Sequence, residues 1–159
     1  MTSLSAKQFS IGVCDYPEHV VTEDWQKHAR LQQSLGLSWV RLAEFSWAKI
    51  EPTEGKYQWQ WLDNAIDIYA QHNLQVVLGT PTATPPAWLI TAYPEILPVD
   101  ENGQVKKFGS RRHYDHASET YRAHCARIVT AMAKRYANHP AVKGWQTDNE
   151  LGHEGTTIS

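Results

Sequence analysis

The chain has 159 residues, of which 42% are hydrophobic and 20% charged, with a net charge of −2 and a pI near 6.4. This length is enough for one domain with a buried core, and this composition excludes a disordered chain. The small net charge gives no electrostatic reason to expect a nucleic acid or membrane partner, and no segment is long and apolar enough to span a bilayer.

Short apolar segments alternate with helical patterns along the chain. In order, we predict a strand at 9–14, a helix at 22–35, a strand at 38–43, a helix at 61–69, a strand at 74–80, a helix at 118–137 and a strand at 142–147. Thr22 is the expected N-cap of the first helix and Gly36 its stop signal. A proline-rich stretch follows the third strand.

This alternation indicates an α/β fold with a parallel sheet covered on both faces. Two architectures fit, a doubly wound sheet and the first half of a (β/α)8 barrel. The first strand-to-helix turn lacks a Gly-rich phosphate fingerprint, and the long loops with Trp, Pro and acids suit the catalytic face of a barrel. A complete barrel needs about 250 residues, so in the second architecture residues 1–159 would be the N-terminal half of a barrel domain, with roughly the first four β/α units.

The last predicted strand runs directly into Asp148, Asn149 and Glu150. Ligands and catalytic groups collect at the carboxyl ends of parallel strands. Cleavage of a glycosidic bond commonly needs two carboxyl groups, one of which donates a proton, and Glu150 stands where such an acid would stand. Asn149 could donate a hydrogen bond to a sugar hydroxyl. Equally, these two residues could be the N-cap and first turn of a following helix.

The segment Gly-Trp-Gln-Thr-Asp-Asn-Glu at 144–150 closely resembles the fourth-strand motif of the glycoside hydrolase family 42 β-galactosidases. Six further blocks resemble that family in the same order, at residues 15–18, 40–47, 51–55, 79–89, 94–100 and 109–114. An isolated Asn-Glu pair is shared by many barrel glycosidases. Seven blocks that cover nearly the whole chain from Gly12 onward are far more specific.

The resemblance implies a (β/α)8 TIM barrel that hydrolyses terminal non-reducing β-D-galactosides with retention of configuration. By position, Glu150 matches the family's proton donor, which acts as acid and base, and Asn149 matches the substrate-binding residue before it. Arg111 matches a further substrate-binding arginine. The family's nucleophile is a glutamate from a later strand, beyond this sequence, so we expect this chain alone to be inactive.

Members of the family often carry a structural zinc held by four cysteines. One of those positions is Asp115 here, and the others follow Glu150, where residues 151–159 contain no cysteine. We therefore predict no zinc at that site, and we expect no cofactor. The resemblance also implies that the full-length enzyme is a homo-oligomer, often a trimer.

Three further side chains are candidates for the cleft. Glu44, at the end of the second predicted strand, either lines the site or makes a structural hydrogen bond beside Arg41. Trp47 and Trp88 follow the second and third strands and either stack on sugar rings or form the packed walls of the cleft.

Other polar side chains are predicted to play no part in the chemistry. We expect solvated faces and caps at Glu51, Glu54, Asp63 and Asp67 and on one side of the last helix at Arg122, Arg127, Lys134 and Arg135. We expect ordinary surface or supporting histidines, not metal ligands, at His113, His116 and His124.

Residues 1–10 lack the apolar run of a signal peptide, and Cys14 and Cys125 lie far apart in no metal-ligand spacing. Two reduced cysteines in a cytoplasmic protein are favoured over a secreted disulfide.

Two alternative functions stay open: another retaining barrel β-glycosidase, such as a β-glucosidase or mannanase, and a non-catalytic sugar-binding or interaction half-barrel. Unpaired strand edges would favour association of the chain.

Overall fold

A computed structural model describes residues 9–109 and 113–150. Its strands are β1 (Gly12–Cys14), β2 (Trp39–Leu42), β3 (Gln75–Gly79) and β4 (Val142–Gln146). Its α-helices are α1 (Trp25–Ser34), α2 (Trp47–Ile50), α3 (Gln60–Gln71), α4 (Ala87–Ala92) and α5 (Glu119–Tyr136). Short 3₁₀ turns lie at Pro17–His19, Thr22–Asp24, Pro81–Ala83 and Pro94–Ile96.

All neighbouring strands are parallel, and the sheet order is β1-β2-β3-β4. A doubly wound sheet reverses its strand order partway across, whereas a barrel adds each strand beside the previous one. The consecutive order therefore decides between the two architectures that the sequence left open, in favour of the barrel.

One face of the sheet carries the apolar core. Val40 and Leu42 of β2 and Val76 and Leu78 of β3 are fully buried on this face. The helices cover it with apolar residues spaced three or four apart, which in α3 are Leu62, Ala65, Ile66 and Tyr69 and in α5 are Tyr121, Ile128, Met132 and Tyr136. The other face, towards the interior of a barrel, carries the polar side chain of Arg41 and faces the site.

The helix boundaries partly agree with the sequence. The helix predicted at 118–137 is present as α5, and Ser118 caps it, since its hydroxyl accepts a hydrogen bond from the backbone N–H of Tyr121 at 3.2 Å. Gly36 follows α1 with a positive φ of 78°, as expected of a stop signal. The prediction that Thr22 caps the first helix is wrong, because Thr22 begins a 3₁₀ turn and α1 begins only at Trp25.

The pairing of β3 with β4 contains one irregularity. Val76 pairs with Val142 and Val77 pairs with Gly144, so Lys143 stands outside the ladder as an additional residue. Downstream of it, Gly79 pairs with Gln146.

The two outer strands expose apolar side chains on the face that the middle strands bury. Val13 of β1 is 38% exposed although its partner Val40 is fully buried, and Trp145 of β4 is 39% exposed although its partner Leu78 is fully buried. Phe9, just before β1, is 85% exposed. The two outer strands, β1 and β4, therefore resemble strands that pair with further neighbours in a larger sheet.

Candidate active site

Polar residues follow the carboxyl end of every strand, and the parallel order brings them to one end of the sheet. They are Tyr16 after β1, Glu44 after β2, Thr80 and Thr82 after β3, and Asp148, Asn149 and Glu150 after β4. Two hydrogen-bonded networks connect them.

The first network is centred on the fully buried Glu44. Its Oε1 accepts hydrogen bonds from the Tyr16 hydroxyl at 2.9 Å and from Nε and Nη2 of Arg41 at 3.1 and 2.8 Å. Its Oε2 is buried and has no hydrogen-bond partner within residues 9–109 and 113–150. Burial raises the pKa of Tyr16, and the hydrogen bond to Glu44 raises it further. For Arg41, burial lowers the pKa, but the Glu44 carboxylate outweighs this effect and the pKa is raised.

Of the two roles predicted for Glu44, the structural hydrogen bond beside Arg41 is therefore present. Glu44 also stands at the end of the sheet where a substrate would bind. The backbone there is tightly packed: a Cβ atom added at Gly79 would lie 2.5 Å from the Cβ of Glu44. Only glycine at this position allows Glu44 to approach the tip of β3 so closely.

Arg41 extends this network to β4. Its Nη1 donates to Oε1 of Gln146 at 2.6 Å. The amide nitrogen of Gln146 in turn donates to the backbone carbonyl of Asp148 at 3.0 Å and to Oδ1 of Asn149 at 3.4 Å. A continuous chain of polar contacts thus runs from Tyr16, after the first strand, to Asn149, after the fourth.

The second network surrounds Asp148. Its Oδ2 accepts from the Thr82 hydroxyl at 2.7 Å, and its Oδ1 accepts from the backbone N–H of Asn149 at 2.7 Å and from the Tyr114 hydroxyl at 3.4 Å. Its own backbone N–H donates to Oγ1 of Thr80 at 2.7 Å. These contacts fasten the end of β4 to the loop that follows β3.

Asn149 is buried, whereas the neighbouring Glu150 is exposed. Glu150 has a φ of 50°, which a residue in the first turn of a right-handed helix does not adopt. The alternative prediction, in which Asn149 and Glu150 begin the next helix, is therefore wrong for Glu150. Arg111, the third residue of the predicted site, lies in 110–112, outside the described residues.

The two tryptophans face the supporting structure. Trp47 is fully buried and its Nε1 donates to Oε2 of Glu51 at 2.9 Å. Trp88 is half-buried, donates to the backbone carbonyl of Glu51 at 2.8 Å, and packs against His124 with ring centroids 5.8 Å apart. Of the two roles predicted for these residues, the geometry favours packed walls over sugar-stacking platforms.

Glu51 itself was predicted to be solvated, which is wrong because it is fully buried. Its Oε1 accepts from the backbone N–H of Gly55 at 2.6 Å and forms an ion pair with Arg127 of α5. Arg127 was predicted to lie on the solvent-exposed side of its helix. In addition to the ion pair with Glu51, it donates to the Tyr57 hydroxyl at 3.0 Å. Burial lowers the pKa of Arg127, but the hydrogen bond and charge of Glu51 raise it overall.

The three histidines after the proline-rich stretch do not converge. His113 is buried, His116 is exposed, and His124 is half-buried beside Arg127. Burial lowers the pKa of His124 and the nearby guanidinium lowers it further. Within the described residues, no group of three or more His, Cys, Asp or Glu side chains is arranged to hold a metal ion. Residues 151–159, where three of the family's four zinc ligands would fall, lie outside that part.

The consecutive parallel sheet, with its charged networks at the carboxyl ends of the strands, defines the class as a (β/α)8 barrel. The family profile of glycoside hydrolase family 42, described as β-galactosidase, matches residues 14–158. The chain belongs to glycoside hydrolase family 42.

Individual relatives agree with this assignment. A β-galactosidase of Thermus thermophilus is 54% identical over 146 residues, which are 92% of this chain and 23% of that protein. The crystal structure of a β-galactosidase from the psychrophilic Marinomonas ef1 has a TM-score of 0.92 at 52% identity, covering 95% of this chain and 23% of that one. A β-galactosidase from the Antarctic haloarchaeon Halorubrum lacusprofundi has a TM-score of 0.90 at 47% identity, covering 93% of this chain and 22% of that one.

These similarities confirm the predicted barrel. The chain spans a little under a quarter of the length of these relatives. No helix in the described part of the chain is long and apolar enough to cross a membrane.

Proposed function

We propose that the protein containing these residues hydrolyses terminal non-reducing β-D-galactosides with retention of configuration, and that Glu150 is its acid/base. The observation that carries this proposal is the position of Asn149 and Glu150 immediately beyond β4, at the same end of the sheet as the buried Glu44 network. That end is where barrel enzymes place their catalytic groups.

In this mechanism Glu150 protonates the glycosidic oxygen as the bond to the anomeric carbon breaks. A second carboxylate attacks that carbon and forms a covalent galactosyl intermediate, which water then hydrolyses while Glu150 takes up the proton. The second carboxylate would come from a later barrel strand. Residues 1–159, the N-terminal half of the barrel domain, would then contribute the acid but not the nucleophile, and would not turn over substrate alone.

Asn149 and Arg111 are proposed to bind the sugar. The buried side chain of Asn149 is held through Gln146, which is itself bound to Arg41. A fixed amide can donate a hydrogen bond to a sugar hydroxyl at little entropic cost, because its orientation is set before the substrate arrives. We also propose a cytoplasmic location and a homo-oligomeric, trimeric full-length enzyme.

The test needs a complete barrel. We define the completed enzyme as this chain joined to the residues that follow its match in the Marinomonas relative. Glu150→Gln should lower kcat on a nitrophenyl β-galactoside by about 10²- to 10⁴-fold, the contribution of a positioned general acid. The exposed Glu101→Gln is the matched control and should not change the rate.

Other outcomes would support the alternatives. Faster cleavage of β-glucosides or β-mannosides than of β-galactosides would indicate another retaining glycosidase. Saturable galactose binding without turnover would indicate a sugar-binding module. Robust galactoside cleavage by residues 1–159 alone, abolished by Glu150→Gln, would overturn the proposal that the nucleophile lies elsewhere.

A further inference from the structure

We propose that Asp148, held by the hydroxyls of Thr80 and Thr82, is a positioning residue that sets Asn149 and Glu150 at the angle required for proton transfer. This inference rests on the proposed function of Glu150. It assigns a role to three side chains to which the proposed function gives none.

The hydrogen bonds around Asp148 form a closed ring. The backbone N–H of Asp148 donates to Oγ1 of Thr80, the two threonine hydroxyl oxygens lie 3.3 Å apart, and Thr82 donates to Oδ2 of Asp148. Each hydroxyl has one proton. Since Thr82 gives its proton to the carboxylate, Thr80 must give its own to Thr82. All donors in the ring therefore point the same way, and each bond polarises the next.

The threonines are themselves fixed. Both are buried, and the backbone carbonyl of Thr82 accepts a hydrogen bond from the hydroxyl of Tyr121 on α5 at 2.5 Å. Burial raises the pKa of Tyr121, so this phenol is protonated and acts as a donor at neutral pH. Asp148 is thus connected through Thr82 to the longest helix of the described structure, which is a rigid support.

The backbone at the end of β4 shows why such support is needed. Asp148 and Glu150 have φ values of 54° and 50°. These values lie in the left-handed region, which residues other than glycine adopt uncommonly. Such conformations persist where surrounding contacts over-determine them, and they cluster at functional sites. The Asp148 carboxylate contributes directly, because its Oδ1 accepts from the N–H of Asn149 between the two left-handed residues.

The contacts at this position also favour a carboxylate. Among the described residues, three donors contact the two carboxylate oxygens: the hydroxyls of Thr82 and Tyr114 and the N–H of Asn149. An amide at position 148 would turn an NH₂ group towards one of these donors. Tyr114 is three residues from Arg111 in sequence, so the same carboxylate also contacts the segment that carries the second proposed sugar-binding residue.

The first test measures backbone order in the 159-residue chain and needs no activity. Thr82→Val keeps the shape of the side chain and removes the hydroxyl. In this variant we expect amide hydrogen exchange at Asp148 and Asn149 to quicken about tenfold or more, because one hydrogen bond of the ring is lost. The amide of Gly144, which faces β3 within the ladder, should keep its protection. Thr91→Val, which removes an exposed hydroxyl of α4, is the control. Unchanged exchange at Asp148, or an equal change throughout β4, would overturn the inference.

The second test asks whether the ring positions the acid, using kcat/KM of the completed enzyme. A 2,4-dinitrophenyl leaving group departs without a proton, whereas an alkyl leaving group requires one. Thr82→Val should lower kcat/KM about tenfold to a hundredfold for an alkyl β-galactoside, as expected of a misplaced catalytic group, and by less than about threefold for the dinitrophenyl substrate. Thr82→Ser should restore most of the loss.

The two hypotheses fail in different ways. If the unsubstituted completed enzyme cleaves neither galactoside, the proposed function fails, and the exchange experiment alone decides the role of the ring. If the enzyme is active but Thr82→Val slows both substrates equally, the threonine is only structural and the positioning role is wrong.

Discussion

Arg41 on β2 and Gln146 on β4 are joined by a hydrogen bond of 2.6 Å although β3 lies between their strands. The residue of β3 in register with Gln146 is Gly79, which has no side chain to stand between them. The same glycine admits the close approach of Glu44. One position without a side chain therefore allows three polar groups from two strands to meet inside the barrel.

The first prediction concerns Gly79. Gly79→Ala should lower the free energy of unfolding by about 2 kcal/mol, because its Cβ would overlap the backbone and Cβ of Glu44 at 2.8 and 2.5 Å. Gly144→Ala is the matched control on the neighbouring strand, since its Cβ would meet Val77 at an ordinary 3.6 Å. Urea unfolding followed by tryptophan fluorescence measures both; equal losses would contradict the steric argument.

The second prediction concerns the buried Glu51. In Glu51→Gln, an amide group would face either the indole N–H of Trp47 or the guanidinium of Arg127, and one of these donors would lose its acceptor. We expect a loss of about 3 kcal/mol in the free energy of unfolding. The exposed Asp67→Asn should change it by less than about 0.5 kcal/mol. A neutral Glu51→Gln would show that this ion pair is dispensable.

The third prediction is a pH dependence from Asp63, which contacts Arg135 and the Tyr136 hydroxyl. Burial raises the pKa of Asp63, but these hydrogen bonds and the guanidinium charge lower it overall, below its usual 3.8. The folded state thus binds this proton less readily than the unfolded state. The stabilisation that the Asp63 carboxylate provides is present above pH 3.8. It is lost as the pH falls through the lowered pKa of Asp63 in the folded state.

Asp63→Asn should therefore reduce stability at pH 7 and flatten the decline below about pH 4. Urea midpoints measured between about pH 2.5 and 7 would show the effect. Parallel curves for the two proteins would mean that Asp63 titrates alike in both states.

The fourth prediction concerns the outer strands. Because Val13 and Trp145 are exposed on the face that inner strands bury, residues 1–159 expressed alone should associate in a concentration-dependent way. Size-exclusion chromatography coupled to light scattering would detect this. A monomer with a cooperative thermal transition at all concentrations would contradict it.

The alternation of apolar and helical segments was sufficient to predict the four strands and the three longer helices, but not the short helices α2 and α4. These features depend on residues close together in the sequence. Glu51 was misassigned because its partner Arg127 lies 76 residues away, and no local pattern distinguishes a buried acid from a solvated one. Both residues fell within amphipathic or turn-like stretches where solvent exposure is the usual outcome.

The candidate site likewise has features that a local sequence pattern predicts and features that depend on contacts between distant residues. The position of Asn149 and Glu150 at the end of a strand could be predicted from the sequence, because a strand ending in acids is a local signal. The Thr80–Thr82–Asp148 ring could not, because its contacts join residues 66 and 68 positions apart in the sequence. A pair of threonines directly after an apolar strand was the available signal, and it is ambiguous without knowledge of the strand order.

The additional residue in β4 has a consequence for how the protein tolerates changes in length. Lys143 is exposed and stands outside the ladder, while Val142 and Gly144 already occupy consecutive partners on β3. Deleting Lys143 would leave every other pairing as it is, and Gln146 would still point towards Arg41. The strand can therefore lose one residue upstream of Glu150 without any change in the register of the residues that follow.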